Sequence, residues 1–134
     1  MRFADTSFWV GLQIARDSRH SDAATVWNEN RQPVRTSTAI LGETWTLLNR
    51  RAGHTAAVAF IDAIERSGTV SVVGIDDEVD RRAWTWLRAH DERTYSYVDA
   101  TSFELLRRDR LTEALAFDGD FSAVGFVEVR PQPH

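Results

Sequence analysis

Five short apolar runs recur along this chain, each separated from the next by helical patterning, and this alternation limits the possible folds more than any other property of the sequence. The runs are Arg2-Phe3-Ala4, Val34-Arg35-Thr36, Thr69 to Ile75, Ala114 to Phe117 and Phe126 to Val129. Their lengths suit strands, and Gly68 with Asp76 bounds the clearest of them. Between them, apolar residues return at helical spacing. Asp5-Thr6-Ser7 opens a helix with Phe8, Trp9, Leu12 and Ala15 apolar, and Ser21 to Asn30 reads as a second carrying Ala24 and Trp27. Ser37 or Thr38 caps a third, which presents Ile40, Leu41, Trp45, Leu47 and Leu48 and runs to Arg51 before Gly53. A fourth starts at Thr55, a fifth follows Asp76, His90 to Tyr97 is a loop, and a sixth begins at Asp99. Strands that alternate with helices in this way build a parallel sheet covered on both faces, an α/β fold of five strands. With 134 residues and 43% apolar content, the expectation is one domain spanning residues 1–134.

The acids stand out against that frame. Asp5 and Asp118 each follow a short apolar run, which in a parallel sheet places them at strand carboxyl ends, where ligands bind. Glu43 lies in the second turn of the third helix, facing back toward the strand ends, and Asp99 opens the sixth helix. If these four converge, they form an all-oxygen pocket suited to Mg²⁺ or Mn²⁺, and beside a phosphate such a pocket implies phosphodiester chemistry. Asp76-Asp77-Glu78 with Asp80 is a second acidic group, read here as first-turn acids that complement a helix dipole.

Composition removes several alternatives. The chain has no cysteine, so disulfides, thiolate catalysis and cysteine zinc sites are excluded. All sixteen basic residues are Arg, and without Lys neither a receiver domain nor a haloacid-dehalogenase-type phosphatase is supported, although both place Asp after a strand. His20, His54, His90 and His134 lack metal spacing, and there is no Gly-rich phosphate loop or nucleophile elbow. No apolar run is long enough for a membrane span and no leader is recognisable, which sets the expectation of a cytoplasmic protein. The formal net charge of −4 rules out a general nucleic-acid coat, so RNA contact must be local. Arg50-Arg51, Arg81-Arg82 and Arg107-Arg108 with Arg110 are read first as solvated helix faces and second as such contacts.

Four stretches together resemble a known family. Asp5-Thr6-Ser7-Phe8-Trp9, Thr38-Ala39-Ile40-Leu41-Gly42-Glu43, Tyr97-Val98-Asp99-Ala100-Thr101-Ser102-Phe103 and Phe117-Asp118-Gly119-Asp120-Phe121 look like the four acidic motifs of PIN-domain ribonucleases, in particular the VapC toxins of type II toxin-antitoxin pairs. One departure is Ala116, where the family often has Thr or Ser. The resemblance implies a three-layer α/β/α fold with strand order 3-2-1-4-5, which makes strands 1 and 4 neighbours. It further implies an endoribonuclease in which Asp5, Asp99 and Asp118 hold Mg²⁺ or Mn²⁺ and Glu43 completes the shell or orients the attacking water. Ser7, Thr101 and Asp120 are candidates for fixing a water or a carboxylate.

The implied substrate is a structured RNA with an exposed loop, such as a tRNA anticodon stem-loop or an rRNA loop. The implied partner is a VapB-like antitoxin that lays apolar side chains near Trp9 and Trp27 on the first two helices and near the fourth helix, and inserts a basic residue between the carboxylates. A homodimer is expected through the helices that carry Trp45, Trp84 and Trp86. The competing reading is a PIN-type nuclease of RNA processing or repair without a dedicated antitoxin.

Overall fold

The computed structural model describes residues 1–133, so His134 lies outside the described residues. Five strands form one parallel sheet: β1 (Arg2–Ala4), β2 (Val34–Ser37), β3 (Val70–Val73), β4 (Glu113–Leu115) and β5 (Val127–Glu128). Their order is β3-β2-β1-β4-β5, the order that the resemblance implies. Phe3 pairs with Arg35 on one side and with Ala114 on the other, so β1 is central and both of its neighbours run parallel to it. The chain reverses its direction of travel across the sheet between β1 and β4, which opens a crevice at their carboxyl ends.

Helices cover both faces. α1 (Thr6–Gln13), α2 (His20–Glu29), α3 (Thr38–Ala52) and α4 (His54–Arg66) connect the first three strands, and α5 (Asp77–Ala89) with α6 (Tyr97–Arg108) returns from β3 to β4. Right-handed crossovers put these two groups on opposite faces. The aromatic residues divide accordingly. Phe8, Trp9, Trp27 and Phe60 cluster among α1, α2 and α4, with Trp9 and Trp27 edge to face at 5.6 Å. Trp86, Tyr95, Phe103, Phe121 and Phe126 cluster around α6.

Several boundaries differ from the sequence reading for identifiable reasons. α6 begins at Tyr97, because Ser96 caps it: the Ser96 hydroxyl accepts from Asp99 N, and the Asp99 carboxylate accepts from Ser96 N, both at 2.9 Å. Asp99 therefore sits in the first turn and does not start the helix. A short helix, α7 (Asp120–Ala123), follows Gly119 and was not expected. It shortens β5, since Phe126 N donates to Phe121 O at 3.0 Å in closing that turn, leaving Val127 as the first strand residue. β3 and β5 are the two edges of the sheet, with Val72 and Val127 exposed on them.

Candidate active site

Asp5 leaves β1 with its amide bonded to Leu115 O of β4 at 3.0 Å, so the two central strands meet at this residue. Asp5 also caps α1, and its Oδ2 accepts from Ser7 N at 3.1 Å and Ser7 Oγ at 2.7 Å. The same Ser7 hydroxyl accepts from Phe117 N at 3.0 Å and thereby ties the segment after β4 to the end of β1. Asp118 follows Phe117, and its Oδ1 accepts from Asp120 N at 3.1 Å. Asp99 arrives from the capping box of α6.

These three aspartates converge, with one oxygen from each lying within 4.8 Å of the others. Each carboxylate has one oxygen held by backbone N–H and the second accepts from no N–H or hydroxyl among the described residues, although Asp5 and Asp118 lie close enough to share a hydrogen bond. The pattern aims three fixed carboxylates at one point. Burial, then the neighbouring Asp118, pushes the Asp5 carboxyl well above the usual range, against the lowering effect of the Ser7 hydrogen bonds. Burial likewise raises Asp99 to about 6, with Asp120 and Asp118 adding repulsion. Asp118 stands at the exposed rim, yet the cleft walls strip enough water from its carboxyl to raise it too, and Asp120 and Glu128 contribute. Carboxylates so crowded favour a cation among them. A hard divalent ion with all-oxygen ligands fits this donor set.

The trio opens into a cleft of about 540 Å³ whose walls include Glu43, Leu47 and Arg51 of α3, Arg19, Phe117 and Asp120. Glu43 thus lines the same space but is not among the three whose oxygens meet. Ser7 contacts Asp5 directly. Asp120 lines the cleft, while its carboxylate accepts from Arg93 Nε at 2.9 Å.

Two sequence expectations require correction. Thr101 is fully buried, and its hydroxyl donates to Val98 O at 2.8 Å within its own helix, so it takes no part in the cleft. Trp9 does not form an exposed patch. It is 2% exposed, with its indole N–H on Thr36 Oγ1 at 3.3 Å, and only Trp27 of that pair reaches the surface. Together with Leu12, Phe60, Ile64 and Val70 they line an apolar groove of about 140 Å³ in which Trp9 is part of the floor.

Other residues of the site escaped sequence reasoning. Glu128, nearly buried on β5, accepts from Gly119 N at 3.2 Å and from Ser122 N at 2.9 Å, which fixes the turn after Asp118. A charged residue inside an apolar strand run was the available signal. Arg130 pairs with Glu128 at 3.2 Å and donates to Ala116 O at 2.7 Å, holding the backbone where the family's hydroxyl is missing. Arg93 donates to Asp118 O at 3.3 Å as well as to Asp120. No local pattern marks it.

Comparison with known proteins identifies the family and the fold. The family profile for the PIN domain matches residues 2–127. The 23S rRNA-specific endonuclease VapC20 of Mycobacterium tuberculosis is 54% identical over 132 residues, covering 98% of this chain and 100% of the relative. A VapC ribonuclease of Archaeoglobus fulgidus is 28% identical over 127 residues, covering 88% and 77% respectively. The crystal structure of M. tuberculosis VapC20, described as a sarcin-ricin loop cleaving toxin, matches with a TM-score of 0.93 at 53% identity over 98% of this chain and 100% of that one.

Proposed function

This chain belongs to the PIN-domain family, in its VapC branch, and from that premise we propose that it is a divalent-metal-dependent endoribonuclease that hydrolyses a phosphodiester bond in a sarcin-ricin-type loop of 23S rRNA. The observation that carries this reading is the meeting of Asp5, Asp99 and Asp118 at the carboxyl ends of β1 and β4. Bound Mg²⁺ or Mn²⁺ would supply polarisation of the scissile phosphate and acidification of the attacking water. The chain's own residues do the rest. Asp5, Asp99 and Asp118 would hold the ion, while Ser7, Ser96 N and Asp120 N keep the carboxylates from turning. Glu43, lining the same cleft, orients the water and accepts its proton. An unpaired loop suits the cleft, because splayed nucleotides can enter where a duplex cannot.

The same reading makes the chain the toxin of a pair acting in the cytoplasm, silenced by a VapB-like antitoxin. The groove floored by Trp9 and edged by Trp27 would receive the antitoxin's apolar side chains, and an antitoxin Arg would bridge the carboxylates in place of the ion. The high identity to an rRNA-specific endonuclease over nearly the whole chain favours this role over RNA processing or repair.

The test is cleavage of ribosomes, and of a synthetic hairpin bearing this loop, by the purified protein with Mg²⁺ or Mn²⁺ and with EDTA, followed by mapping of new 5′ ends. One cut in the loop, abolished by EDTA and by Asp5→Asn, is expected. Cleavage that persists in Asp5→Asn would remove that residue from the site.

A further inference from the structure

The cleft is walled by carboxylates, so a polyanionic substrate needs a cation there besides the metal. Arg51 and Arg19 are the arginines that line it. Arg51 is committed elsewhere, with its Nη1 on Asp17 Oδ2 at 2.9 Å. Arg19 meets no carboxylate within 4 Å among the described residues, and its guanidinium lies 5.4 Å from the centre of the Phe117 ring, beside the residue preceding Asp118. We propose that Arg19 binds a backbone phosphate of the RNA adjacent to the one that is cut, an assignment that rests on the ribonuclease reading above.

The local structure is built to present this side chain. Arg19 N donates to Asp17 Oδ1 at 2.9 Å, and Arg19 O accepts from Ala23 N at 2.9 Å, which sets Arg19 at the start of α2. The preceding loop is pinned to the end of α3 by Arg16 Nη2 on Arg51 O at 2.8 Å. Gly11 of α1 provides the space. A Cβ at that position would stand 3.3 Å from Arg19 Cβ, a tight contact that requires the two segments to shift slightly apart.

Resting on an aromatic ring fixes the plane of a guanidinium while leaving its N–H edges free, and those edges match phosphate oxygens in pairs. Arg19 therefore combines a held backbone, an exposed cationic end and free donors, a few residues from the metal ligands in space. A role limited to packing on Phe117 would not depend on substrate or salt.

The experiment compares wild type, Arg19→Gln and Arg19→Lys on the loop hairpin with Mg²⁺ or Mn²⁺, measuring kcat, KM and the slope of log KM against log salt. For Arg19→Gln we expect KM to rise roughly ten- to hundredfold, the size of a lost charge-assisted contact. Its kcat should stay within about threefold, and the salt slope should shrink by about one. Arg19→Lys keeps the charge and loses the fork, so it should retain the slope with an intermediate KM. Unchanged KM and slope in Arg19→Gln, or a fall in kcat alone, overturns the assignment. If Arg19→Gln fails to fold, Arg19→Lys decides, and a wild-type KM there is the overturning result. A wild-type protein that leaves the hairpin intact overturns the ribonuclease reading and this one with it, whereas cleavage by wild type with an unaffected Arg19→Gln overturns only this one.

Discussion

If Asp99 holds a metal as proposed, folding and metal binding pull in opposite directions there. The carboxyl is buried, and its pKa in the folded chain is about 6, against an ordinary value of 3.8. The folded state therefore binds this proton more tightly than the unfolded chain does. Its stabilising contribution is complete below pH 3.8 and disappears as pH rises through about 6. Asp5 and Asp118 shift in the same direction. In EDTA, Asp99→Asn should flatten this loss and stabilise the protein near neutral pH by up to about 3 kcal/mol, since Asn can still accept from Ser96 N. With saturating Mg²⁺ the order should reverse, because the variant has lost a ligand. Urea denaturation from pH 4 to 7, with EDTA and with metal, reads both effects, and equal pH slopes for the two proteins in EDTA would refute the account.

Among the elements, the β4–α7–β5 unit sets the position of Asp118. Glu128 on β5 bonds both Gly119 N and Ser122 N, and Gly119 has φ of +84°, which favours glycine. Glu128→Gln keeps one acceptor oxygen for two amides and gives up the charge that pairs with Arg130. It should cost about 1–3 kcal/mol of stability and loosen Asp118 along with it. Amide exchange at Gly119 and Ser122 should quicken well beyond that of the central strands, together with weaker metal binding. Protection unchanged at both amides would mean that the turn holds without Glu128. Ser7 plays the corresponding part for β1 by linking Asp5 to Phe117, and Thr101, chosen on the same reasoning from sequence, is consumed by its own helix.

For the whole molecule the open question is the second copy. Of the three tryptophans singled out as a dimer surface, Trp86 packs on Phe103 at 5.1 Å and Trp45 is half-buried against His54, so Trp84 alone is truly exposed, at 45%. Its ring is held in place by Asp80 Oδ1 at 3.2 Å and by Tyr97 at 4.8 Å. The expected dimer contact through α5 therefore rests on this one ring. Sedimentation at micromolar concentration should show a dimer, and Trp84→Asp should dissociate it without changing the circular dichroism. A wild-type monomer would refute the dimer through α5.

How much of this could be read in the sequence depends on the distance over which each feature is encoded. The five strands, most of the helices and the positions of Asp5 and Asp118 follow from local patterns, since a short apolar run ending in an acid and a helical repeat are written within a few residues. Family likeness added the strand order. Asp99 was marked by its place at a helix start, although that start was misjudged because Ser96 competes with Asp99 as cap and the capping box uses both. Only tertiary structure could decide what crosses the sheet. The Ser7 bond to Phe117 spans 110 residues, Arg93 reaches Asp120 from a loop without regular pattern, and Arg19 finds Phe117 from the start of α2. It likewise decided that Trp9 is buried and that Glu43 lines the cleft without joining the three aspartates. These pairings depend on how β1 and β4 lie side by side, a property of the closed chain that no short stretch of sequence carries.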